Sequence, residues 1–257
     1  MQDIGGCRAV LSDVSLVKKL TNFYTSKRKS RGLKHKKVNE KDYVKNPKPD
    51  GYRSIHLIYK YKSDKKSTYD GLLVEIQIRS RIQHAWATAV ETVDLFTKQA
   101  IKSNEGRPDW MEFFKLVSSA FASMEGETPV PGTPTNPDEL KRQIKKRVGE
   151  LRVFQKMEKW TKAITIIEPK MKQLHFFLLV LDVSEDAEKL EIRGYSKDAE
   201  RTATDHYLEA EKSQGRDPNK DVVLVGADSI DELRKAYPNY FIDTTHFLSY
   251  LKKYLTS

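Results

Sequence analysis

A single cysteine, Cys7, stands among 257 residues, so no intrachain disulfide is available, and a reducing, cytoplasmic location is expected. Long apolar runs are also missing. No stretch approaches the ~20 residues that a helix needs to span a bilayer, so no membrane segment is expected. The N-terminus has no signal-peptide pattern of charge, apolar core and small-residue cleavage site. Residues 169–257 show no metal-ligand spacing, no Gly-rich phosphate loop and no nucleophile elbow. Acidic residues are in deficit, with 36 Asp and Glu against 46 Lys and Arg, a formal charge of +10. That balance favours polyanionic partners such as nucleotides, RNA or the ribosome.

What is present is concentrated in two alternating segments. In the run from Leu72 to Arg79, Val74, Ile76 and Ile78 alternate with Glu75, Gln77 and Arg79. A period of two places the carboxylate, the amide and the guanidinium in a row on one face of a strand. The run from Gly51 to Lys60 alternates too, with Tyr52, Ser54 and His56 on one side and Ile55, Leu57 and Tyr59 on the other. Between them, residues 62–71 have the composition of a hairpin loop. Antiparallel pairing would join the polar faces into one floor holding an acid, an aromatic, a histidine and an arginine. An ordinary half-solvated sheet is the alternative, but such a face usually carries Lys, Thr and Glu instead. Taken singly, Tyr52 reads as a packing residue and His56 or His84 as structural; their joint order and spacing point to a nucleotide site.

These residues carry a resemblance. Lys48-Pro-x-Gly-Tyr-x-Ser-x-His56, followed by Glu75-Ile-Gln-Ile-Arg79, resembles the RelA/SpoT-type alarmone synthetase domain. Asp3-Ile-Gly-Gly-Cys-Arg8 is similar to that family's Asp-x-x-Gly-x-Arg signature, and His84-Ala-Trp-Ala to the opening of the helix after the glutamate strand. The resemblance covers residues 1 to about 125. It implies an α+β fold with a nucleotidyltransferase-like mixed sheet flanked by helices. It also implies a stringent-response pyrophosphokinase that moves the β,γ-pyrophosphate of ATP to the 3′-hydroxyl of GDP or GTP. On this reading Asp3 and Glu75 hold Mg²⁺ and Glu75 is the base. The nucleotides then meet Tyr52, Lys48, His56, Arg79, Gln77, Arg8 and Ser54, with Tyr52 stacking on guanine. Two alternatives stay open: a toxic relative that pyrophosphorylates the 3′ end of tRNA, and an inactive guanine-nucleotide-binding remnant. The second arises because the family's ATP-gripping basic segment precedes the Asp-x-x-Gly-x-Arg motif. This sequence starts two residues ahead of Asp3, so a synthetase incomplete at its N-terminus is expected.

Residues 27–48 concentrate ten cations against Glu40 and Asp42. They read as a solvated loop or as a phosphate-facing flap able to meet tRNA or the ribosome. Helices are expected over 80–96, by the apolar stripe Ile82, Trp86, Ala89, Val93 and Phe96, and over 110–124. Asn136-Pro-Asp-Glu139 opens a further long basic helix running to about residue 167. Strands are then expected over 174–183, 189–193 and 222–225, and helices over 197–212, 229–236 and 244–254. The expected division is a synthetase-like region 1–125, a linker and basic helix 126–168, and a small α+β accessory domain 169–257. An oligomer is compatible with all of this.

Overall fold

The two alternating segments pair as an antiparallel hairpin in the computed structural model, which describes residues 5–26, 33–97, 108–165, 174–184, 189–215, 217, 219–227, 232 and 244–257. By compactness the chain divides into one unit from Met1–Ala87, Pro108–Glu150 and His246–Ser257, and a second from Thr88–Arg107 and Leu151–Thr245. The functional division at residues 125 and 168 stands as a proposal beside that grouping.

In the first unit, β1 (Gly5–Leu11) is followed by α1 (Val14–Thr25), and then by β2 (Lys36–Asp42), β3 (Ile55–Lys60) and β4 (Leu73–Ser80). The sheet order is β1-β4-β3-β2; β1 runs parallel to β4 and the other neighbours are antiparallel, so the sheet is mixed as expected. Its apolar face packs Ile55, Leu57, Tyr59 and Ile78 with Val17 of α1, and Val14, Leu20 and Tyr24 of that helix add to the cluster. One face of the sheet is thus closed by a helix. Asp13 starts this helix by accepting from Leu16 N at 2.9 Å and from the Ser15 hydroxyl at 2.6 Å. These bonds hold its carboxyl down at about 2.

β2 corrects the expectation of a loop or flap for part of the basic segment, since residues 36–42 form an edge strand with a bulge between Lys37 and Asn39. Charged side chains and a bulge are what an edge strand tolerates, because one of its sides pairs with no other strand. Residues 27–32 of that segment lie outside the described residues.

After β4 the chain turns directly into α2 (Arg81–Thr97) through a reciprocal cap: Gln83 N donates to the Ser80 hydroxyl and Ser80 N to Gln83 Oε1, both at 3.2 Å. α3 (Pro108–Glu125) supplies the large aromatics of the first unit, with Trp110, Phe113, Phe114 and Phe121 all buried. The Trp86 indole donates to Phe114 O at 2.8 Å, fixing the start of α2 on α3. α4 (Pro137–Leu151) begins where expected, with Asn136 Oδ1 accepting from Asp138 N and Glu139 N at 2.9 and 3.1 Å.

The single long helix is not observed. Arg152 takes a φ of 51°, in the left-handed region, and a separate α5 (Val153–Thr165) follows. One non-glycine residue in that conformation ends the helix even though the apolar periodicity continues across it.

The second unit holds a three-stranded antiparallel sheet, ordered β6-β5-β7, from β5 (Phe176–Asp182), β6 (Lys189–Tyr195) and β7 (Lys220–Gly226). α6 (Glu200–Gln214) lies between β6 and β7 in sequence and buries Ala203, and Phe96 stacks on Trp160 at 5.1 Å. All of α7 (Thr245–Thr256) but its first residue belongs to the first unit, where Phe247 packs edge-on against Phe121 at 5.6 Å. Apart from Glu232, the helix expected over 229–236 lies outside the described residues. Among the described residues no helix is long and apolar enough to cross a membrane.

Candidate active site

With the apolar face closed by α1, the opposite face of the sheet carries the polar side chains. Register aligns Arg8 of β1 with Gln77 of β4, Gln77 with His56 of β3, and His56 with Lys41 of β2, so one transverse row crosses all four strands. Gly6 and Glu75 are neighbours in the next row. A Cβ on Gly6 would stand 2.7 Å from the Glu75 carbonyl oxygen, so the close approach of β1 to the glutamate requires glycine there.

Four side-chain hydrogen bonds thread this floor. The Tyr52 hydroxyl meets His56 Nε2 at 2.8 Å and His56 Nδ1 meets Glu75 Oε1 at 2.7 Å. Gln77 Nε2 donates to Glu75 Oε2 at 2.7 Å, and Arg8 Nε to Gln77 Oε1 at 3.3 Å. Burial works against ionisation of Glu75, but the hydrogen bond from Gln77 and the partnership with His56 outweigh it and hold the carboxyl below its ordinary value. Burial also pushes the His56 imidazole down, with Lys48 and Lys41 adding to the effect against the pull of Glu75. Burial raises the Tyr52 phenol, opposed by Arg79 and Arg8. At neutral pH the floor therefore holds a carboxylate, a neutral imidazole and a protonated phenol.

The turn before β3 aims the aromatic residue. Gly51 N donates to Lys48 O at 2.9 Å across Pro49 and Asp50, and Asp50 Oδ1 accepts from Tyr52 N at 2.8 Å. Gly51 has φ 95° and packs where a Cβ would lie 2.9 Å from that of Ser118. Lys48 Nζ sits 5.1 Å from the Tyr52 ring centroid and 5.0 Å from that of Tyr43. A base stacking on Tyr52 would share the ring with this ammonium or move it aside. Tyr43 and His56 both meet Tyr52 edge-on.

The structure thus brings together Tyr52, Lys48, His56, Glu75, Gln77 and Arg8 of the expected set. Arg79 is buried on the same strand face and acts electrostatically on the Tyr52 phenol. Ser54 is fully buried and donates to Ile78 O at 3.2 Å, so it reaches a ligand only through its neighbours. Asp3 lies outside the described residues. Lys41 was not singled out as a site residue from sequence, because it sits in a strand without apolar alternation; Gly6 entered only as the glycine of the Asp-x-x-Gly-x-Arg motif, and its packing role needs the register of β1 on β4. A cleft of about 230 Å³ opens beside Glu75, lined by Gly6, Cys7, Arg8 and Gln77. Among the described residues no three metal-ligating side chains cluster.

Comparison with known proteins bears on this floor directly. Residues 1–98 match the region found in RelA / SpoT proteins. This segment is of the RelA/SpoT type. It includes β1 to β4 and every expected site residue, so the four motifs named from sequence fall inside the RelA/SpoT-type segment. The curated protein GTP pyrophosphokinase YwaC of Bacillus subtilis is 34% identical over 88 residues, which is 34% of this chain and 40% of the relative. GTP pyrophosphokinase YjbM of the same organism is 36% identical over 91 residues, covering 34% and 39%. The chain spans about two fifths of the length of these relatives. Among solved structures, small alarmone synthetase 1 from Bacillus subtilis bound to its product pppGpp aligns at a TM-score of 0.41 and 26% identity, over 49% of this chain and 60% of that one.

Proposed function

We propose that the chain transfers the β,γ-pyrophosphate of ATP to the ribose 3′-hydroxyl of GDP or GTP. The observation that carries this reading is the placement of one carboxylate, Glu75, among the cations Arg8, Lys41, Lys48 and Arg79 on a RelA/SpoT-type segment. Pyrophosphoryl transfer needs developing phosphate charge to be neutralised and an acceptor hydroxyl to lose its proton. The cations serve the first requirement and Glu75 the second. Tyr52 offers its ring to the guanine, and Lys48 beside it reaches the acceptor phosphates. Both curated relatives are named GTP pyrophosphokinases, which is in keeping with a guanine-nucleotide acceptor.

Mg²⁺ fits this floor through Glu75, an oxygen donor bordering the open cleft, and Asp3 is its proposed second ligand. Each Glu75 oxygen receives one hydrogen bond, and a carboxylate has roughly four lone-pair sites, so capacity for a cation remains. When bound there, the ion supplies charge neutralisation to the ATP phosphates.

The acceptor side is tested by calorimetric titration with GDP. Tyr52→Ala is expected to weaken binding by roughly 1–3 kcal/mol, the range for an aromatic platform under a base. Tyr52→Phe should stay near wild type because the ring survives. Equal affinities for wild type and Tyr52→Ala would remove Tyr52 from the guanine site.

A further inference from the structure

We propose that His56 is a positioning residue that couples the aromatic ring of Tyr52 to the carboxylate of Glu75 in a single hydrogen-bonded unit, with the imidazole locked as its Nδ1–H tautomer. The proposal rests on the synthetase reading for its consequence in catalysis, but not for its geometry. His56 meets its two partners through different ring nitrogens, at 2.7 Å to Glu75 Oε1 and 2.8 Å to the Tyr52 hydroxyl. An ionised carboxylate only accepts hydrogen bonds, so Nδ1 must carry the proton. In a neutral ring Nε2 is then bare and accepts, and the phenol must be the donor. Every hydrogen in the unit is assigned by that logic.

The surroundings hold the ring in place. The His56 side chain is 12% exposed and that of Glu75 17%. Tyr43 packs edge-on against the imidazole with ring centroids 5.4 Å apart, and Tyr52 does so at 5.7 Å. Gln77 grips the second carboxylate oxygen and is itself held by Arg8. Glu75 is therefore clamped from both sides, by His56 on β3 and by Gln77 on its own strand.

The consequence is a division of labour for one residue. The Tyr52 ring face serves the base of the acceptor, while its hydroxyl reports that ring's position to the carboxylate through His56. A correctly seated acceptor and a correctly aimed base become one arrangement rather than two independent ones. Removing only the Tyr52 hydroxyl should leave acceptor affinity intact and still lower turnover, because a misplaced catalytic group costs up to roughly a hundredfold in rate.

The test has one arm that needs no activity. In the full chain with ¹⁵N-labelled histidine, the His56 ring nitrogens are assigned by loss of their signals in His56→Asn and read at near-neutral pH. A protonated Nδ1 and a bare Nε2 are expected, and replacing Glu75 with Leu should release the ring to the Nε2–H form. An Nε2–H ring in the wild type would overturn the proposal whatever the activity. In the kinetic arm, Tyr52→Phe should keep KM for GDP within about twofold and lower kcat roughly tenfold or more. His56→Asn, whose amide can still donate to Glu75, should retain more turnover than His56→Leu. A raised KM with unchanged kcat in Tyr52→Phe would overturn the coupling. A chain with Nδ1–H His56 that transfers no pyrophosphate would sink the synthetase reading and leave the hydrogen-bonded unit standing.

Discussion

Glu75→Gln is expected to lower pyrophosphate transfer by roughly two to four orders of magnitude, the range for loss of a general base, while leaving the fold intact. The substitution keeps the size of the side chain but replaces one acceptor oxygen with an NH₂ group. Glu75 Oε1 and Oε2 now accept from His56 Nδ1 and Gln77 Nε2, so whichever oxygen is lost, a donor comes to face a donor. The variant also loses the negative charge that the proposed Mg²⁺ site requires. Initial rates of alarmone formation, with thermal melting as the control for folding, measure this. A variant within tenfold of wild type would remove Glu75 from the chemistry.

The largest stability effect is expected at Arg53, a residue of the same segment that faces away from the cleft. The residue is 4% exposed, and its guanidinium donates to the Ser118 hydroxyl and Val44 O, each at 3.1 Å, and to Thr128 O. Burial brings its pKa down to about 10, against the favourable charges of Glu125 and Glu127. Arg53→Met fills similar volume but leaves two carbonyl acceptors without these donors and removes a cation from near the partly buried Glu125. A loss of roughly 3–5 kcal/mol in urea denaturation is expected; a loss below about 1 kcal/mol would show that the network stabilises little.

Glu125 gives the complementary pH result. Burial raises its pKa, against hydrogen bonds from Ser80 and Gln83 and the Arg53 charge. A carboxyl whose folded pKa lies above its unfolded value favours the fold at low pH. That contribution is fully present below the unfolded value and is lost as pH rises through the folded one. Glu125→Gln should therefore match or exceed wild-type stability at neutral pH, and its advantage should shrink as the pH falls through the raised folded value and be gone below about 4.5. An advantage that grows on acidification would contradict the assignment.

The hairpin of β3 and β4 was legible because strict alternation survives in both strands and the loop between them has turn chemistry. β2 was not legible, since an edge strand reading Lys36-Lys-Val-Asn-Glu-Lys-Asp42 carries no apolar period. Lys41 was missed with it. The break at Arg152 was hidden because Leu140, Ile144, Leu151 and Trp160 keep a helical spacing through a backbone event that leaves no compositional mark. Within the site, alternation put Tyr52, His56 and Glu75 on one face. The direct contact of His56 with Glu75 depends on register, which pairs His56 with Gln77 and brings the glutamate into reach diagonally. A loop of irregular length does not fix that register from sequence. The strands of the second unit were legible from sequence, β5 as an apolar run, but residues 169–257 offered no constellation from which to read chemistry.

The most direct test of the central claim is incubation of the purified chain with radiolabelled ATP, Mg²⁺ and GDP or GTP, with deacylated tRNA as a separate acceptor. The account predicts label on the guanine nucleotide at its 3′ position and none when 3′-deoxy-GDP replaces GDP. Label on tRNA alone, or no transfer to any guanine nucleotide, would contradict it.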